Sequence, residues 1–181
     1  MKKHMVVLLA VVLLTQMTFA QSIGYTFTSE KDGVSCVFPD QHFVTDTTSY
    51  APLVQHQWTA PDHSYVLIFQ IKPPNPAVID AEFSNSATWD ATEKTILSEG
   101  NATKGSTMAF ENCVRGTRQG FPSDTCGIKL TTSTGVNLTG TFFMVVHNSR
   151  VTTANGLQNG SMAHTADIAA FVASFKILEV K

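Results

Sequence analysis

Between residues 23 and 72, apolar and polar positions alternate in short runs separated by turn residues, the pattern of strands half-buried in a sheet. Ile23, Tyr25 and Phe27 share one face of a strand expected over 23–28. Lys31-Asp32-Gly33 is a turn signal, after which Val34, Cys36 and Phe38 alternate up to Pro39-Asp40. A short strand is expected over 43–47, and two more over 54–59 and 65–72, joined through Ala60-Pro61-Asp62-His63. The run Tyr-Val-Leu-Ile-Phe-Gln-Ile from Tyr65 is apolar at both parities, which predicts a central strand covered on two sides.

Pro73-Pro74 stops that strand, and Asn75-Pro76 reads as a helix cap followed by proline at the first helical position. Residues 76–98 lean to helix, with Gly100 as the stop. Apolar spacing fails at Ser84-Asn85-Ser86, so either a broken helix or a turn with a helix from about Ser86 is expected, burying Trp89, Ile96 and Leu97. Strands return over 107–118, 127–132, 137–147 and 150–155, with Asn155-Gly156 and Asn159-Gly160 read as the loop that follows. The last element is a helix from about Ala166, capped by Thr165, whose Ile168, Phe171, Val172 and Phe175 form one apolar stripe. The order strands, helix, strands, helix predicts an α+β domain: an antiparallel sheet of about six or more strands covered by helices.

The first twenty residues do not fit this domain. Lys2, Lys3 and His4 precede ten consecutive apolar residues over 5–14, and Thr18-Phe19-Ala20 places small side chains at the −3 and −1 positions of a cleavage site. The apolar run is too short for a bilayer core of ~30 Å, which needs about 20 helical residues. Residues 1–20 are therefore expected to be a secretory signal peptide cleaved after Ala20. Residues 21–181 then form one secreted or periplasmic domain with no membrane span, and the Lys-Lys start leans towards a bacterial envelope. That domain keeps ten basic against fourteen acidic residues, a formal charge of −4 without basic clusters, which argues against nucleic acid and anionic lipid as partners.

Export makes disulfides possible, and the domain has three cysteines. Cys113 and Cys126 flank a Gly- and Pro-containing stretch able to fold back on itself, so this pair is favoured; Cys36 sits in an apolar run and reads as a small buried side chain. Pairing of Cys36 with either partner stays open, because spacing does not fix connectivity.

Three segments together resemble the PsbP-like family, the Mog/PsbP type of α/β/α sandwich found in many exported bacterial proteins of unknown function. They are Val34-Ser-Cys-Val-Phe-Pro39, Gly120-Phe-Pro-Ser-Asp124 and Phe171-Val-Ala-Ser-Phe175. The chain has Gly120-Phe-Pro where the family usually has glycine-proline-glycine. The resemblance implies a binding or accessory role rather than catalysis, and it carries over no functional residue.

Candidate chemistry is sparse. His56 and His63 could face each other across a hairpin, but exposed side chains are the plainer reading, and no ligand set for a metal is expected. Trp58 follows Gln55, His56 and Gln57 on an otherwise polar strand, so His56, Trp58 and His63 are the surface-site candidates. Asp90 and Glu93 share a helix face and read as a solvated pair. No Walker loop, dinucleotide fingerprint or nucleophile elbow occurs, so no catalytic residue is assigned and no cofactor is expected. The function expected is that of an exported, non-catalytic binding or accessory protein with an unidentified protein or envelope partner. The alternative is a small extracellular hydrolase or metal-dependent enzyme using the scattered histidines.

Overall fold

A computed structural model describes residues 24–49, 51–102, 105–160 and 163–178; the signal-like segment lies outside them. Its centre is a seven-stranded sheet in the order β3-β4-β5-β9-β8-β7-β6, with every neighbouring pair antiparallel. The strands are β3 (Val44–Asp46), β4 (Val54–Thr59), β5 (Tyr65–Ile71), β6 (Thr107–Arg118), β7 (Phe121–Thr131), β8 (Asn137–His147) and β9 (Arg150–Asn159). A smaller sheet, β1 (Tyr25–Ser29), β2 (Val34–Phe38) and β10 (Lys176–Ile177), packs over one face together with helix α2 (Thr165–Ser174). A 3-10 turn (Asp80–Ser84) and helix α1 (Ser86–Gly100) cover the other face. The fold is thus the expected α+β sandwich.

Side-chain parity divides the core in two. Leu67, Phe69, Phe143, Val145 and Ala154 face α2 and the small sheet, where they meet Val34, Cys36, Phe38, Ile168, Phe171 and Phe175. Phe142, Met144, Val146, Val151 and Leu157 face α1, with Trp89 and Phe83. The uninterrupted apolar run of β8 therefore belongs to a strand buried on both faces. In β5 only the Leu67, Phe69 and Ile71 face is fully buried. Its opposite face continues into a polar row in which Gln70 donates to Gln55 at 2.7 Å and Thr153 donates to Gln70 at 3.2 Å.

The sandwich is tied across its layers by an ion pair. Arg150, at the start of β9, donates to the Asp32 carboxylate at 2.6 Å and to the Asp32 carbonyl at 3.3 Å. Asp32 also accepts from the Ser29 hydroxyl at 2.5 Å. Burial alone would raise the Asp32 pKa, but the Ser29 and Arg150 contacts outweigh it and hold it below the usual range.

Asn155-Gly156, expected in a loop, lies inside β9. A Cβ at Gly156 would meet Ile168 Cγ2 at 2.5 Å, and a Cβ at Gly140 would meet the Gly156 carbonyl oxygen at 1.8 Å. These glycines let backbone and helix approach closely rather than turning the chain. At the other end of the sheet, β7 begins at Phe121 rather than Gly127. Gln119 (φ 51°) and Gly120 (φ 85°) form a two-residue turn with both φ positive, so the strand resumes at once. Asn75 caps a turn only, its carboxamide oxygen accepting from Ala77 N at 3.0 Å, while Asn85 caps α1 by accepting from Ala87 N at 2.9 Å. His164 takes the N-cap position of α2, one residue before the expected Thr165.

Gly140→Ala is expected to lower the unfolding free energy by about 2 kcal/mol or more, because a backbone oxygen has to move. Gly116→Ala, with nothing within 4 Å of the new Cβ, should change it by less than about 0.5 kcal/mol. Urea titrations of both variants would check the contrast.

Candidate functional site

Two side-chain groupings stand out, one on each face of the sheet. The first is a cleft of about 280 Å³ on the α2 face, and its origin is the glycine pattern. One rung of the sheet runs Glu111, Gly127, Thr141, Gly156 across β6 to β9, and the next runs Ala109, Lys129, Thr139, Gln158. Gly127, Thr141 and Gly156 on the first rung, with Ala109 and Thr139 on the second, are small and leave a depression. Ile168 fills it over Gly156, and beyond α2 it stays open as the cleft, lined by Thr139, Thr141, Lys129, Glu111 and Thr165. Lys129 and Glu111 pair at 2.7 Å, so the charges in the wall neutralise each other. Gln158 fixes the end of α2, accepting from His164 N at 2.9 Å and donating to the Thr165 hydroxyl at 3.2 Å. The cleft offers hydroxyls and bare backbone.

The second grouping surrounds a disulfide between Cys113 and Cys126, the favoured pair. In the β6–β7 hairpin Glu111 pairs with Gly127 and Val114 with Thr125, so Asn112 and Cys113 together oppose Cys126: a bulge. Asn112 takes φ 52°, a conformation asparagine tolerates. The extra residue shifts parity, and Cys113 and Arg115, rather than Asn112 and Val114, point at α1. Arg115 then contacts Asp90 and, at 2.9 Å, Glu93. Directly across from Arg115 is Asp124, 1 % exposed, whose Oδ1 is buried with no partner among the described residues. Burial first, and the adjacent Glu93 carboxyl second, push the Asp124 pKa up to about 6. Asp90 and Glu93 are therefore not merely a solvated pair; they anchor α1 to the hairpin. Cys36 is free and fully buried, and burial pushes its thiol pKa up, as suits an inert core side chain.

The three surface candidates do not form one site. His56 is buried, its ring 4.1 Å from Phe27 and its Nδ1 2.9 Å from the Thr45 hydroxyl. Burial depresses its pKa. Trp58 is buried on the same side of β4 and donates to Asp40 at 3.0 Å. The face of β4 expected to be exposed is thus the inner one, and Gln55 and Gln57 lie on the opposite face. His63 is exposed in the β4–β5 turn at φ 57°. Sequence reasoning missed Asp124 and the cleft threonines. Isolated glycines within strand patterns were a readable signal for the cleft.

The topology and covering layers define the PsbP-type α+β fold, as the resemblance implied. The solution structure of cyanobacterial PsbP (CyanoP) from Synechocystis sp. PCC 6803 superposes with a TM-score of 0.66 at 9 % identity, covering 88 % of this chain and 95 % of that one. The Ran-binding protein Mog1p of Saccharomyces cerevisiae superposes at 0.51 with 7 % identity, covering 88 % and 97 %. No protein-family model and no curated protein matches the sequence.

Because the folded-state pKa of Asp124 lies above its unfolded value, ionising it opposes folding. The cost is absent below about pH 4, grows as pH rises towards 6 and stays constant above that. Asp124→Asn should therefore stabilise the protein by roughly 2 kcal/mol at pH 7.5 and by little at pH 4, which unfolding titrations at the two pH values would check.

Proposed function

We propose that this chain is an exported, non-catalytic binding protein whose cleft beside α2 holds a small neutral polyhydroxyl group, such as one sugar unit of an envelope component. The cleft chemistry carries the reading. Thr139 and Thr141 supply hydroxyls, Gly127 and Gly140 bare the backbone, and the Lys129–Glu111 pair leaves no net charge to select an ion. Neutral polar ligands are held by such convergent hydrogen-bonding groups. Volume sets the size: about 280 Å³ is at the lower end of small-molecule sites. Export is supported by the basic, apolar and small-residue pattern of residues 1–20 and by the disulfide, which suits an oxidising compartment. Among the described residues no helix is long and apolar enough to cross a membrane.

Ligand-observed NMR with a panel of monosaccharides and envelope glycan fragments would test the reading. Binding of at least one sugar is expected, weakened about fivefold or more in Thr141→Val through loss of one buried hydrogen bond. Binding unchanged in Thr139→Val and Thr141→Val, or turnover of a bound substrate, would overturn it.

A further inference from the structure

The carboxyl-flanked disulfide lies on the opposite face of the sheet from the cleft and is independent of it. We propose that Cys113–Cys126 is a site of thiol–disulfide exchange with an external dithiol, and that Asp124 donates the proton to the departing Cys126 sulfur.

Access to the two sulfurs is unequal. Cys113 is half-buried on β6, the outermost strand of the sheet. Cys126 is 2 % exposed on the inner strand β7. An incoming thiolate therefore reaches Cys113 Sγ, and Cys126 is the leaving group. Exchange rates depend on how well that leaving sulfur carries its charge. A bare thiolate among Phe142, Ile128 and Trp89 would be costly. Asp124 Oδ2 lies 3.7 Å from Cys126 Sγ, in a carboxyl that is buried beside the Glu93 carboxyl. Glu93 Oε2 lies 3.9 Å from Cys113 Sγ, and the direction of attack is set by access and by the Asp124 carboxyl beside Cys126.

The groups facing Asp124 keep a proton available. Glu93 comes from α1, Arg115 from β6 and the Thr125 backbone N–H from β7 itself, and β8 contributes the apolar Met144 opposite it. Burial and Glu93 outweigh Arg115, so the carboxyl is protonated below about pH 6.

The exchange proceeds in two steps. A thiolate of the dithiol bonds to Cys113 Sγ, the Cys113–Cys126 bond breaks, and Cys126 takes the Asp124 proton; solvent reprotonates the carboxylate. The second thiol of the reagent, deprotonated to solvent, attacks the mixed disulfide. It forms the reagent's own disulfide and releases Cys113, which takes up a proton. The chain gains two electrons and two protons, and the dithiol loses them.

Reduction of the folded chain by dithiothreitol between pH 5 and 8, with rates divided by thiolate concentration, tests the assignment. The wild type is expected to react about tenfold or more faster below pH 6 than at pH 8, as a general acid is lost. Asp124→Asn should flatten that profile. In a second measurement, Cys113 of Cys126→Ser should react with an aromatic disulfide reagent at least about tenfold faster than Cys126 of Cys113→Ser, from exposure alone. A disulfide that opens only on unfolding, an Asp124→Asn profile like the wild type, or equal reactivity of the two single cysteines would each overturn the proposal.

Discussion

The close approach of α2 to the sheet at Gly156 sets the geometry of one whole face. Ile168 stands where the Gly156 side chain would be, and Gly140 in turn makes room for the Gly156 carbonyl. Two adjacent strands without side chains at this point bring the helix down onto backbone. That contact seats Phe171 and Phe175 against Phe38, Phe69 and Phe143. It also leaves the rest of the small-residue rung uncovered, which is the cleft. The device that packs the core thus also opens the binding surface.

The other face follows a different logic. Its centre is apolar, with Trp89 sealed over β7 and β8 and donating to the Phe83 carbonyl at 2.6 Å. Its margin is ionisable. One inserted residue at Asn112 turns Cys113 and Arg115 inward, and α1 supplies Asp90 and Glu93 to meet them. A disulfide, a buried acid and a guanidinium are thereby brought together on β6 and β7, against α1. The same burial that raises the Asp124 pKa excludes water from Cys126, so proton and sulfur chemistry are coupled by a single desolvated space.

Much of the fold was legible in the alternation of residues. The apolar run of β8, the stripe of α2 and the break at Ser84-Asn85-Ser86 each correspond to an observed element, since periodicity reports directly on which face is buried. His56 and Trp58, read as surface candidates, are buried on the inner face of β4. A strand with His56 and Trp58 at one parity and Gln55 and Gln57 at the other is ambiguous locally; the Phe27, Phe43 and Phe69 rings that enclose His56 come from three other strands and loops. Asn155-Gly156 misled for a related reason. Its dipeptide chemistry favours a turn, while neighbouring strands on both sides hold it extended.

By itself, the sequence determined the α+β class and the number and order of most elements, and it favoured one cysteine pair without fixing it, because these depend on local pattern and on short separations along the chain. Only the tertiary structure decided the glycine contact under α2, the cleft beyond it and the meeting of Glu93, Asp124 and the disulfide. Those depend on strand register and on a bulge that inverts side-chain parity, and neither leaves a periodic trace in the chain.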